Sequence, residues 1–296
     1  MKKANINGTV LEYEIKGSGE PLLLISTGPI ADSFVPFLSE KALIERYRMI
    51  AYHQRGVAGS PRGPDAKPVS FEQHAADAAA LLRHLDVPRA HVAGHGTPIA
   101  LQLAVDHPGV VHTLVLLETP LLSVPSAGAF FEKAGPALEA YRAGDGEGAM
   151  AKFLSVVSSL DWETCRAVIQ KHVPGGIAQA MKDADNFFGS YLPALNAWQF
   201  GPVQAATIAR PVLAVLGTET QRLFVEGHEL LRTWFPRLED CKIEGVGHLL
   251  HMQRPERVLS GVAAWLARHP MRGGVGTPVK CDRAHESLVQ EDGGEK

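Results

Sequence analysis

Across residues 9–16 apolar and polar positions alternate, with Thr9, Leu11, Tyr13 and Ile15 on one side and Val10, Glu12, Glu14 and Lys16 on the other. Only Val10 breaks this period of two, which predicts a strand with one buried face. The next apolar segment differs in kind. Pro21-Leu22-Leu23-Leu24-Ile25 is a short continuous run, as a strand covered on both faces of a parallel sheet requires. It ends in Ser26-Thr27-Gly28-Pro29, a loop by composition. A further run from Tyr47 to Tyr52 leads into the glycine-bearing loop His53-Gln54-Arg55-Gly56-Val57-Ala58-Gly59-Ser60-Pro61.

The period then changes to that of a helix. Phe71, Ala75, Ala78, Leu82 and Leu85 form one stripe behind Ser70, with Gln73 placed for a capping box and Pro88 closing the segment. Ala90–Ala93 reads as a strand, Pro98 to Asp106 as a helix, and Val110 to Leu117 as the next strand, ending in Glu118-Thr119-Pro120. Strand and helix in alternation, joined by short turns, predict an α/β fold with a mostly parallel sheet and helices on both faces. Between 121 and 207 only helical spacings occur, among them Phe130, Ala134, Leu138 and Tyr141. The α/β pattern resumes at Pro211–Gly217, with a helix at about 222–235, a strand near 241–244, the loop Gly245-Val246-Gly247-His248, and a last helix at about 255–268. The predicted organisation is a core of 1–120 and 208–270, a helical cap of 121–207 inserted into it, and a flexible tail of 271–296 poor in large apolar residues.

Composition narrows the partners. Among 296 residues, 45% are hydrophobic and 21% charged, enough apolar material for a packed core. Lys plus Arg (29) nearly balances Asp plus Glu (32), which argues against nucleic acid or an anionic membrane as the main partner. No apolar run approaches the ~18 residues of a membrane span, and the polar start after Met1 lacks a signal-peptide pattern, so a cytoplasmic protein is expected. Cys165, Cys241 and Cys281 lie far apart, without metal spacing or a disulfide framework. Nor is there a phosphate loop, a dinucleotide fingerprint or a metal-ligand cluster, and the expectation is no cofactor, no metal and a small-molecule substrate.

Four features jointly carry a resemblance: the loop after Leu22–Ile25, the turn Tyr52-His53-Gln54-Arg55-Gly56, the strand–turn–helix around Gly94-His95, and Gly245-Val246-Gly247-His248 before the last helix. Over about residues 8–268 the chain resembles the α/β-hydrolase superfamily, with the helical block where that family carries its cap. The resemblance implies a nucleophile elbow of the pattern G-x-S-x-G. Here the ungapped match is Gly94-His95-Gly96-Thr97-Pro98, so the serine position is Gly96. A second alignment, anchored on Ile99–Ala104 and His107-Pro108, makes the turn about two residues shorter and Gly96 its closing glycine. Neither alignment leaves a serine. Thr97 followed by Pro98 is an ordinary helix start, and Thr97 is a weaker candidate for a replacement nucleophile.

By the same resemblance, His248 takes the place of the general base, against the plainer reading of a histidine kept for hydrogen bonding beneath the cap. Its acid partner is Glu118 at the end of a strand, or Glu219 beside Thr220, where relatives often carry an aspartate. Glu118 follows the chain order nucleophile, acid, base. His251 reads as a bystander. Where relatives show His-Gly-Gly for the oxyanion loop, this chain has Thr27-Gly28-Pro29-Ile30. Proline has no N–H, which leaves Gly28, Ile30 and Thr97 as backbone donors, with the hydroxyls of Ser26 and Thr27 nearby. Phe130, Phe131, Phe187, Phe188, Tyr191 and Trp198 are aromatic candidates for a pocket wall, Trp198 included as a substrate contact.

The expected function is therefore that of an ester or lactone hydrolase lineage acting on a small apolar carbonyl compound, with weak or absent hydrolysis. Two other readings stay open: a lyase or cyclase using His248 as a non-covalent base, and a ligand-binding protein without catalysis.

Overall fold

The computed structural model describes residues 1–26, 28–63 and 68–271; Thr27 and the predicted tail beyond 271 lie outside the described residues. Eight strands form one sheet: β1 (Lys2–Ile6), β2 (Thr9–Lys16), β3 (Glu20–Ile25), β4 (Tyr47–Tyr52), β5 (Ala90–His95), β6 (Val111–Leu117), β7 (Val212–Gly217) and β8 (Glu239–Ile243). Their order is β1-β2-β4-β3-β5-β6-β7-β8. The pairs β1/β2 and β2/β4 are antiparallel, and every other pair is parallel. The sheet is mostly parallel, as the alternating pattern predicts.

The apolar runs split between two faces because successive strand residues point to opposite sides. Leu23, Ile25, Ile50, Val92, Leu114 and Leu116 pack in one core with Phe71, Ala75 and Leu82 of the helix Phe71–His84 and with the inserted helices. Leu22, Leu24, Met49, Ala93, Val115, Leu117 and Val215 pack in the other, against Val258, Val262 and Trp265 of the helix Pro255–Ala267. A run buried on both sides is thus explained by helices on both sides.

Three local details refine the sequence reading. Ser70 accepts the Gln73 N–H at 3.3 Å, but the Gln73 side chain turns to Asp77, so only half of the predicted capping box forms. The helix after β5 begins at Ile99, one residue later than Pro98. The first strand was not predicted from the apolar pattern. Its signal is the turn Asn7-Gly8, with φ of +44° and +77°, the two left-handed residues of a tight hairpin.

Between β6 and β7, among the described residues, there is no strand. The segment runs through the helices Ala127–Arg142, Gly146–Ser158, Trp162–His172, Gly176–Lys182 and Ala184–Asn186, the π-helical turn Phe187–Tyr191, and the helices Leu192–Ala197 and Pro202–Ala206. No helix of the described residues is long and apolar enough to cross a membrane.

Candidate active site

Three strand ends and one loop meet at the carboxyl edge of the sheet, where helix starts and loop backbones gather in parallel α/β folds. After β5 the chain turns at Gly96, whose φ of +57° lies in the left-handed region, and enters the helix Ile99–Asp106. A side chain at that φ costs energy, whereas glycine adopts it freely. The sharp turn therefore sits on Gly96, the residue that the ungapped reading equates with the serine position. Its N–H donates to the Leu117 carbonyl at 2.9 Å, which ties the elbow to β6.

Next to it, Glu118 directly follows β6, at φ +46°. For a residue with a side chain this conformation costs roughly 1–3 kcal/mol and persists only where surrounding bonds fix it. Those bonds are present. The Glu118 carboxylate accepts the Gly217 N–H at 2.8 Å, the Thr220 hydroxyl at 2.7 Å and His248 Nδ1 at 2.9 Å. Its side chain is wholly buried. Because a carboxylate accepts, His248 Nδ1 carries a proton, and in the neutral form of the ring Nε2 holds a lone pair. Among the described residues no hydrogen bond occupies Nε2. The ring also stacks on Phe224, with centroids 4.3 Å apart and planes 17° from parallel.

Of the two carboxylates weighed in the sequence, Glu118 is the one that meets His248, whereas Glu219 is exposed and its backbone N–H donates to Val246. Thr220 takes part in another capacity, as a hydroxyl donor to Glu118.

His95 stands behind His248, its Nε2–H donating to the His248 carbonyl at 2.8 Å. That bond fixes its tautomer, and burial drives its pKa well below the usual histidine value, so it stays neutral. His251 is fully buried against His95, with ring centroids 4.0 Å apart, and does not reach the cavity.

The cavity between the sheet edge and the inserted helices is narrow, about 50 Å³, and almost wholly apolar. His248, His95, Gly96 and Ile30 form part of its wall, with Phe130, Phe131, Phe187 and Tyr191 from the insertion. Four of the six aromatic candidates thus face it. Two do not. Trp198, expected as a substrate contact, donates its indole N–H to Gln102 at 2.7 Å and packs on Phe71 and Phe200, outside the cavity. Phe188 stacks on Tyr141 instead.

Thr97, the weaker nucleophile candidate, directly precedes Pro98 and the helix Ile99–Asp106. It is fully buried, it is not part of the cavity wall, and its Oγ1 accepts the Ile99 N–H at 3.3 Å, the helix-start role. Ser26 does not line the cavity either, and Thr27 falls outside the described residues. Gly28 lies close by: a Cβ built there would be 3.0 Å from ring carbons of Phe187 and Tyr191. Two contributors went unread in the sequence, Phe224 beneath the imidazole and the His95 bond that holds its backbone. Neither leaves a local signal, because each contact spans distant parts of the chain. Among the described residues no group of three or more His, Cys, Asp or Glu is placed to hold a metal ion.

Comparison with known proteins places this geometry in context. Residues 21–255 match the family described as alpha/beta hydrolase fold. The RutD protein of Variovorax paradoxus, whose name proposes carbamate hydrolysis, is 41% identical over 113 residues, covering 36% of this chain and 41% of that protein. This chain thus spans about two fifths of the length of the curated relatives of that name. The mouse sn-1-specific diacylglycerol lipase ABHD11 is 23% identical over 249 residues, covering 77% of this chain and 75% of the lipase. Among solved structures, the enol-lactonase of Burkholderia xenovorans LB400 superposes with a TM-score of 0.73 at 20% identity, over 90% of this chain and 99% of the lactonase. At that identity the likeness is one of fold.

Proposed function

This chain belongs to the α/β-hydrolase family, and from that premise we propose that it acts on a small apolar carbonyl compound through His248 as a general base, without an acyl-enzyme intermediate. The observation that carries the reading is the pairing of His248 with Glu118, which among the described residues leaves Nε2 unbonded on an apolar cavity, beside an elbow whose left-handed residue is a glycine. An ordinary relative attacks the carbonyl with serine and needs the imidazole to take its proton. Gly96 has no atom to attack with, and Thr97, whose hydroxyl accepts the Ile99 N–H, is not part of the cavity wall.

The site retains a base held in one tautomer in a dry cavity. It can remove a proton from a carbon beside a carbonyl, with elimination or ring closure to follow, or it can activate a water. The first route needs no covalent intermediate. The second forfeits the two-step advantage of the lineage, so ester hydrolysis is expected to be weak or absent. The carbonyl class is supported by the names of two relatives, a diacylglycerol lipase and a protein named for carbamate hydrolysis.

The test uses a short-chain aryl ester and rapid mixing. The native protein is expected to give no burst and at most marginal turnover, while Gly96→Ser gives a burst that His248→Ala abolishes. A strong, saturable burst from the native protein would mean that another group attacks, and the proposal would fall. A tightly held ligand bound equally well by native protein and His248→Ala, with no turnover of any carbonyl compound, would favour a binding protein.

A further inference from the structure

Resting on that reading of the cavity, we propose that the Tyr191 hydroxyl is the donor that binds the substrate's carbonyl oxygen, in place of a backbone N–H of the loop after β3. Tyr191 comes from the inserted segment, at the end of the π-helical turn Phe187–Tyr191. A π turn inserts a residue into the helical path and re-aims the side chains beyond it, and such turns recur at functional sites. Here it brings one phenol ring against two side-chain-free residues at once. On one side lies Gly28, where a Cβ would stand 3.0 Å from ring carbons of Tyr191. On the other lies the elbow, with the hydroxyl 3.4 Å from the Gly96 carbonyl oxygen. These are the two places where the sequence departs most from its lineage, and the ring of Tyr191 spans them.

The donor supply of the site favours the role. Charge that develops on a carbonyl oxygen needs N–H or O–H groups aimed at it. Pro29 offers none in the loop after β3, and Pro98 offers none after the elbow. The Tyr191 hydroxyl is buried in the cavity wall and holds the Gly96 oxygen only at the long end of hydrogen-bond distance, so a carbonyl oxygen placed above the elbow competes well for it. Burial raises the Tyr191 pKa, although a contact with the Thr97 hydroxyl works the other way, and the phenol remains a protonated donor throughout the neutral range. His248 then serves as the base and Tyr191 as the electrophilic partner, and the substrate is a carbonyl compound with an acidic C–H or a water beside the imidazole.

The test is infrared spectroscopy of cyclopentanone labelled with ¹³C at its carbonyl, a compact ketone that cannot be hydrolysed. On binding to the native protein its carbonyl stretch is expected to move to lower frequency. In Tyr191→Phe the band moves back up and affinity falls about tenfold, the value of one hydrogen bond in a dry site. Thr97→Val keeps the phenol and keeps the low-frequency band, and His248→Ala keeps it too. A low-frequency band that survives in Tyr191→Phe would overturn the assignment to Tyr191 and leave the cavity as a carbonyl site served by backbone donors. Absence of any bound band in the native protein would overturn the reading of the cavity and the assignment together.

Discussion

His248 and His53 both rest on carboxylates, and the two sites divide their nitrogens differently. His248 commits Nδ1 to the wholly buried Glu118 and leaves Nε2 on the cavity. His53, at the end of β4, commits both, Nδ1 to Glu12 at 3.2 Å and Nε2 to Asp32 at 3.0 Å. Burial pulls the His53 pKa down, but the bonds and charges of Asp32 and Glu12 outweigh it and leave the group above its ordinary value of 6.5. One arrangement is an oriented base. The other is a staple that fastens the β2 strand to the loop carrying Asp32. The same residue types yield reactivity or structure according to how many lone pairs the fold leaves uncommitted.

The comparison breaks most sharply at Glu118. Glu118→Ala strips the acceptor from the Gly217 N–H, the Thr220 hydroxyl and His248 Nδ1, all near the buried end of β6. Leaving a buried donor without its acceptor costs about 1–3 kcal/mol. Denaturant unfolding is expected to show a loss of that order, whereas Asp32→Ala, at a side chain 46% exposed, costs far less. A Glu118→Ala protein as stable as the native one would mean that the carboxylate is not the keystone of that strand end.

A smaller effect separates the staple from the base by pH. A histidine with a raised folded pKa stabilises fully below its unfolded value near 6.5, and that contribution fades as pH rises through the folded value. The hydrogen bond from His53 holds Asp32 below its ordinary 3.8, and for Glu12 the same partner, with Lys3, outweighs the upward pull of burial from 4.5. Their contribution is present above those values and fades as pH falls. The staple is therefore strongest between about 4.5 and 6.5. Measuring unfolding midpoints against pH for native protein and His53→Gln isolates it, with a difference of about 1 kcal/mol at most that shrinks above neutrality. His74, His91 and His251, held by burial near 4, 4 and 3, are common to both proteins and cancel. A difference that grows with rising pH would refute the staple.

The contrast also shows what a sequence can carry. The doubly buried strands were legible because burial on both faces leaves no polar position in the run, as at Leu22–Ile25. The preference for Glu118 over Glu219 was legible because a strand end in a parallel sheet fixes where a side chain begins. Trp198 was not. An aromatic residue in the insertion marks a candidate wall without saying which way it faces, and Trp198 lies past the end of the helix Leu192–Ala197, where its indole turns to Gln102. The Asn7-Gly8 turn was present in the chain, and with a strand on each side it marks the first hairpin. Phe224 and the His95 bond depend on contacts across distant segments, where neither periodicity nor spacing reaches.

The finest difference between the two histidines lies in what covers the ring. His248 has a face occupied by Phe224, and an aromatic pair of this kind is worth about 1 kcal/mol beyond the area it buries. Phe224→Leu keeps an apolar side chain of nearly the same reach and removes only the stacked face. Stability is expected to fall by about that amount, with the Glu118 bond intact. The ring protons of His248 lie over the phenyl face and feel its shielding current, so their resonances should move downfield in the variant, while those of His53, which no aromatic ring covers among the described residues, stay where they are. If the His248 resonances do not move, the phenyl ring does not hold that imidazole in solution, and its orientation comes from Glu118 alone.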